Sequence, residues 1–191
     1  MRLAILDHGH RLRTKALLRV IRLVSGQPVV DAVKLAFYRP DFYGAGALTH
    51  EAMRGPSAWS IGERELMAAY VSKVNDCPFC VAAHTATANL CYDDESTAAA
   101  ALADPRAAPI SEPLRATLGL LGKLTREHSI TVEDVRDVLA TGVTPAQLED
   151  ALAVSLAFNI TGRLANAFDF EVVGPAAMSA GARHLVKRGY R

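Results

Sequence analysis

Alanine and leucine recur with helical spacing along most of the chain, and the alternation of β-branched residues expected of strands is scarce. The pattern predicts helices at about 12–24, 28–37, 61–75, 78–91, 94–103, 113–127, 132–141, 145–169 and 176–188. Ser60 with Glu63 reads as a capping box, and so does Thr144 with Gln147, where Pro145 suits the first helical position. Thr131 and Asp134 give a weaker version, and Gly142 is placed to end the short helix before it. The stretch Tyr38 to Pro56, which holds Pro40, Gly44, Gly46, Gly55 and Pro56, is expected to be a loop. It would separate an N-terminal helical arm, residues 1–44, from a helical domain, residues 45–191. Asp104 to Pro113, with three prolines, is a second break. The expected fold class is all-α, a helical bundle.

Composition narrows this picture. A chain of 191 residues, half of them hydrophobic, can bury a sizeable single core. The formal net charge of +1 excludes a general polyanion binder, so no nucleic-acid partner is expected. Both ends are locally basic: Arg11, Arg13, Lys15, Arg19 and Arg22 near one, Arg183, Lys187, Arg188 and Arg191 near the other. These read as solvated helix faces. Three cysteines cannot build a disulfide framework and point to a reducing compartment. No export signal is evident after Met1, because Asp7 and His8 interrupt the apolar run. The apolar stretch Ala151 to Ile160 is well short of the ~20 residues that cross a bilayer. A soluble, cytoplasmic protein without a membrane partner is expected.

The chemistry concentrates between Glu65 and His84, where a carboxylate, two thiols and an imidazole occupy one short segment. Asn75 and Asp76 are poor helix-interior residues, and Pro78 suits a first turn, so one helix should end before Cys77 and another begin there. The segment becomes a helix hairpin. His84 lies four positions beyond Cys80 and so shares its helix face, while the first helix can bring Glu65 back beside His84. The Cys77 and Cys80 pair can close a disulfide with little backbone movement.

A free thiol of pKa ~8.5 is only about three per cent thiolate at neutral pH. A helix N-terminus can favour the anion at Cys77 and Cys80, and His84, held by Glu65, can accept a thiol proton. Helix-dipole reasoning favours Cys77 as the attacking sulfur, whereas proximity to His84 favours Cys80. We take Cys80 as the attacker, with Cys77 resolving its sulfenic acid into a disulfide that a dithiol partner must reduce.

Glu65, eleven residues, Cys77-x-x-Cys80, three residues, His84 resembles the active-site pattern of the alkylhydroperoxidase D-like proteins within the carboxymuconolactone decarboxylase superfamily. The resemblance extends from about residue 45 to residue 170, including Phe158-Asn-Ile-Thr-Gly-Arg163-Leu-Ala-Asn166. It implies an AhpD-like helical bundle, assembly into trimers or hexamers, and peroxidase or disulfide reductase activity without a bound cofactor. It also implies catalytic roles for Glu65, Cys77, Cys80 and His84, and reduction by a lipoylated or thioredoxin-like protein. Family members carry a histidine immediately before the second cysteine, where this chain has Phe79. That departure removes one relay group.

Two other readings compete. Cys77, Cys80 and His84 could ligate a structural zinc ion with Glu65, Cys91 or another histidine as fourth ligand, but closed zinc sites usually draw on two separated pairs and no second pair occurs. A non-redox, lactone decarboxylase-like enzyme ranks last, because relatives of that type lack the paired cysteines. Cys91 reads as a small buried hydrophobe. His50, His128 and His184 stand alone and suit surface or capping roles, and His8 and His10 do not share a helix face. Trp59, Tyr70, Phe158 and Phe168 read as core or interface residues. Gly44-Ala-Gly46 lacks the third glycine and the preceding strand of a nucleotide loop.

Overall fold

The computed structural model describes residues 5–38, 40 and 46–190. Among them the regular structure is entirely helical, in eleven helices: α1 (Ile5–His8), α2 (Leu12–Ser25), α3 (Asp31–Tyr38), α4 (Gly46–Arg54), α5 (Ile61–Val74), α6 (Pro78–Tyr92), α7 (Ser96–Ala103), α8 (Glu112–Glu127), α9 (Val132–Ala140), α10 (Pro145–Phe168) and α11 (Pro175–Arg188). The all-α class and the nine helices expected from the sequence are present, with ends within two residues except the start of α3, which comes three residues later than expected.

Local chemistry explains the helix starts. Ser60 Oγ accepts from the Glu63 N–H at 3.2 Å while Glu63 Oε2 accepts from the Ser60 N–H at 2.8 Å, which satisfies two donors at the head of α5. Thr144 and Gln147 do the same for α10. Thr131 and Asp134, the weaker signal in the sequence, form a full box on α9.

The loop expected between Tyr38 and Pro56 is corrected: its second half is α4. Gly46 and Gly55 bracket this helix instead of filling a loop, and its apolar residues Ala52 and Met53 enter the core. Residues 39 and 41–45 of that stretch, with Gly44 and the arm boundary, lie outside the described residues. The short α1 was likewise absent from the sequence reading.

Helix α5 is the axis of the bundle. Leu66, Met67, Ala68, Ala69 and Val71 are fully buried, and so is Glu65. It packs against α6, α8 and α10, and α11 lies along α6. Met53, Trp59, Leu118, Leu121, Val154 and Phe158 complete this core, and Trp59 Nε1–H donates to the Gln147 carbonyl at 2.8 Å.

A second apolar cluster lies at the head of α6. There Leu6 of α1 and Leu35 of α3 pack with Cys77, Phe79, Cys80, Ala165 and Phe170. Asp31 at the start of α3 ties this segment to the chain beyond α10, since its Oδ2 accepts from the Glu171 N–H at 3.1 Å. Helix α2 between them has no buried residue.

Leu118 is fully buried and Leu12 is 85 % exposed, so the two leucines should respond very differently to truncation. Leu118→Ala should lower unfolding free energy by about 2–5 kcal/mol, and Leu12→Ala by no more than ~0.5 kcal/mol. Urea denaturation of the two variants measures both. Equal, small losses would contradict this placement of the core.

Candidate active site

The turn between α5 and α6 sets the sulfur positions. Asn75 caps α5, Asp76 takes the left-handed conformation at φ 48°, Cys77 is extended as the N-cap of α6, and Pro78 occupies its first turn. A left-handed backbone is tolerated by Asp and Asn, whose short polar side chains bond locally. Two amides from α10 and the turn hold it in place: Asn166 Nδ2–H donates to the Asn75 carbonyl at 2.9 Å, and Asn75 Nδ2–H donates to Asn159 Oδ1 at 3.0 Å. The C-x-x-C therefore opens a helix, as its spacing suggested.

One and a half turns into α6, His84 meets Glu65 across the hairpin, with Nδ1 2.7 Å from Oε2. The sequence expectation that the two converge is met. Glu65 has further partners that the sequence reading missed. Arg54 of α4 donates from Nη2 to Oε1 at 2.6 Å, and the Tyr190 hydroxyl donates to Oε1 at 2.9 Å and Oε2 at 3.1 Å. Arg54 also donates to the Leu185 carbonyl near the end of α11 and to the Met53 carbonyl, and its guanidinium lies 5.3 Å from the centre of the Tyr190 ring. Phe158 meets the His84 ring edge-on at 4.3 Å, while Tyr190 lies nearly parallel to it at 6.2 Å.

His50, read as a surface or capping residue, fixes the end of this arrangement. Its Nδ1 accepts from the Tyr190 N–H at 3.2 Å. Gly189, just before Tyr190, has φ 69° and ψ −149°, a conformation nearly exclusive to glycine, and a Cβ there would lie 2.7 Å from the His50 ring. The chain can swing Tyr190 onto Glu65 only through that residue.

The electrostatics follow from these contacts. Burial raises the Glu65 pKa, but the hydrogen bond and charge of His84 and the Arg54 guanidinium outweigh it, so the carboxyl sits below its ordinary range and stays ionised. Nδ1–H of His84 then points at the carboxylate, and Nε2 is the nitrogen left to take a proton. Burial and the Glu65 charge push the Tyr190 phenol well above its ordinary value, so it acts as a donor.

The two thiols separate. The Cys80 thiol facing it, together with the backbone N–H groups of Cys80 and Phe79 at the head of α6, lowers Cys77 to about 7 in spite of burial. Cys80 is pushed far up, first by sharing its proton with Cys77, then by burial and by the charge of Cys77. These shifts favour the anion at Cys77, the alternative that helix-dipole reasoning offered beside Cys80. Both residues are only 1 % exposed, covered by Phe79, Phe170, Leu6 and Leu35. Phe79 meets Phe170 edge-on at 5.3 Å and serves as part of that cover.

Among the described residues no group of three or more His, Cys, Asp or Glu side chains is gathered as a metal site needs. His84 Nδ1 and both Glu65 oxygens are committed to one another, Arg54 and Tyr190, an arrangement that does not favour the zinc reading. Cys91 lies outside the cluster, with burial raising its thiol pKa. Among the described residues no helix is long and apolar enough to cross a membrane.

No protein-family model matches the chain, and no curated protein matches it. Solved structures do. An uncharacterized peroxidase-related protein from Silicibacter sp. TM1040 superposes with a TM-score of 0.74 and 25% identity, over 86% of this chain and 87% of that one. A structure described as an alkylhydroperoxidase AhpD core, an uncharacterized peroxidase-related protein from Ralstonia eutropha JMP134, matches with a TM-score of 0.74 and 23% identity, over 91% of this chain and 92% of that one. The fold is AhpD-like, as the resemblance implied.

Because its folded-state pKa is depressed, Glu65 contributes its full stability above the ordinary carboxylate range, and that contribution drains as pH falls through the lower folded-state value. Glu65→Gln leaves Arg54 buried without its counter-charge and should cost about 3–5 kcal/mol at neutral pH. The variant should also lose that share of acid sensitivity. Thermal unfolding across a pH series measures both effects, and an unchanged melting temperature at neutral pH would contradict the buried ion pair.

Proposed function

We propose that this protein is a thiol-dependent oxidoreductase of the peroxidase type, with Cys77 and Cys80 cycling between dithiol and disulfide under the control of Glu65 and His84. The observation that carries this reading is the ionised, buried Glu65 fixed 2.7 Å from His84, on the same helix whose N-terminus holds the two sulfurs. The peroxidase-related names of structures sharing the fold support the same class of chemistry.

In the proposed cycle the Cys77 thiolate attacks the outer oxygen of a hydroperoxide. The O–O bond breaks, Cys77 becomes a sulfenic acid, and the alkoxide leaves as an alcohol after taking a proton. Cys80 gives its proton up to the Nε2 side of His84 and attacks the Cys77 sulfur. A disulfide forms, and hydroxide departs as water with the proton from His84. The sum is one hydroperoxide and two thiols converted to one alcohol, one water and one disulfide. A dithiol carrier, lipoylated or thioredoxin-like, then returns two electrons and two protons.

Glu65 stays ionised throughout. It holds the His84 ring in one tautomer and offsets the imidazolium charge, while Arg54 and Tyr190 keep the carboxylate from turning away. Its role is electrostatic and orienting, with the proton carried by His84.

Exposure of the reduced protein to hydrogen peroxide or an alkyl hydroperoxide, followed by peptide mass mapping, should yield a Cys77 to Cys80 disulfide. Cys80→Ser should halt at a Cys77 sulfenic acid that a dimedone probe traps, and Cys77→Ser should react far more slowly. Peroxide consumption without any disulfide between these residues would reject the reading.

The order of the thiols has its own signature. With the Cys77 pKa lowered to about 7, iodoacetamide alkylation of Cys77 in the Cys80-intact protein should rise with pH and pass its midpoint near that value. A midpoint at or above the ordinary thiol value of ~8.5 would return the attacking role to question.

A further inference from the structure

A cleft of about 470 Å³ opens at the head of α6, lined by Asp76, Pro78, Phe79, Ala165, Asn166, Asp169, Phe170 and Val172. Three of these residues flank Cys77 in sequence, and Phe79 and Phe170 belong to the cluster that covers both sulfurs. Neither sulfur lines the cleft, which lies against the far side of the Phe79, Ala165 and Phe170 cover that packs on them. Its lining is mostly apolar, from Pro78, Phe79, Ala165, Phe170 and Val172, and its ionisable lining residues are two carboxylates, Asp76 and Asp169, with no lysine, arginine or histidine among them. Both aspartates stand at turns with positive φ, 48° and 56°, one ahead of α6 and one at the end of α10, so two separate elements contribute the same charge to one lining.

We propose that Asp76 and Asp169 are specificity-determining residues, an electrostatic filter that admits neutral, apolar-bodied reagents to the dithiol and turns anionic ones away. The proposal rests on the dithiol reading of the site. Two negative charges beside a low-dielectric wall of Phe79, Phe170, Pro78 and Val172 raise the local potential against an arriving anion more than they would on an open surface. The apolar lining meanwhile rewards burial of a hydrocarbon body. A carboxylate-bearing oxidant or thiol must bring its own charge past both aspartates and over the two phenyl rings before its sulfur or oxygen reaches Cys77. A neutral hydroperoxide, or a dithiol carried on an uncharged chain, meets no such barrier.

Two disulfide reagents separate the alternatives without any peroxide. Dithiodipyridine is neutral, and dithiobis(nitrobenzoate) is a dianion at neutral pH. With either, the Cys77 thiolate breaks the reagent's S–S bond and forms a mixed disulfide, releasing one aryl thiolate. Cys80 then gives up its proton and attacks the Cys77 sulfur, closing the protein disulfide and releasing the second aryl thiolate. The experiment uses the full chain carrying Cys91→Ser, so that only the pair reports, and compares it with the same chain carrying Asp76→Asn and Asp169→Asn. Asparagine accepts the left-handed backbone that both positions require.

The double substitution should raise the rate with the dianion roughly threefold or more, leave the neutral reagent's rate within a factor of about 1.5, and flatten the salt dependence of the dianion's rate. A structural effect alone would move both rates together. An unchanged ratio of the two rates, or equal acceleration of both reagents, overturns the filter. A chain that forms no peroxide-driven disulfide yet shows the charge-dependent ratio keeps the filter and loses the peroxidase reading, so the two proposals fail separately.

Discussion

A carboxylate with no exposed surface sits in the middle of the bundle, and its requirement for donors organises the site. An isolated ionised carboxyl in an apolar interior is too costly to persist, so each oxygen of Glu65 must be matched. The donors come from three places far apart in the chain: Arg54 at the end of α4, His84 in the middle of α6, and Tyr190 just beyond α11. Meeting that demand draws the C-terminal segment over the α5–α6 hairpin and fixes the imidazole in one orientation. The same interaction couples stability to chemistry, since a loosened carboxylate frees the ring that is to carry the thiol proton.

The thiols answer to a different constraint. Both lie at the start of α6, yet they are not equivalent, because a helix N-terminus directs its free N–H groups at the capping position. Cys77 occupies that position and Cys80 lies one turn inside, closer in sequence to His84. The Cys80 thiol, and after it the N–H groups at the head of α6, lower the pKa of the outer sulfur, while its hydrogen bond with Cys77, then burial and the Cys77 charge, raise that of the inner one. Proximity to the imidazole, which pointed to Cys80 as the attacker, fits better with helping the second step.

Enclosure of the sulfurs sets the terms of access. The N-terminal helices α1 and α3 lend Leu6 and Leu35 to the cover, and Phe79 turns to meet Phe170. The cleft between the head of α6 and the end of α10 lies against that cover, lined mostly by apolar side chains and by Asp76 and Asp169.

The sequence by itself determined the helical class, the capped starts of α5, α9 and α10, the hairpin turn at Asn75 to Pro78 and the grouping of Glu65, Cys77, Cys80 and His84. Each of these depends on residues within a few turns of one another, where periodicity, caps and left-handed turn residues act locally. Helix α4 was hidden because glycines at its two ends mimic the punctuation of a loop, and Arg54 was hidden with it. Tyr190 gave no local signal at all: its hydroxyl reaches a carboxylate 125 positions away, through a glycine whose conformation only the neighbouring His50 makes necessary. Tertiary structure alone decided these contacts, because burial and the balance of charges around a buried group are sums over neighbours that no short window of sequence contains.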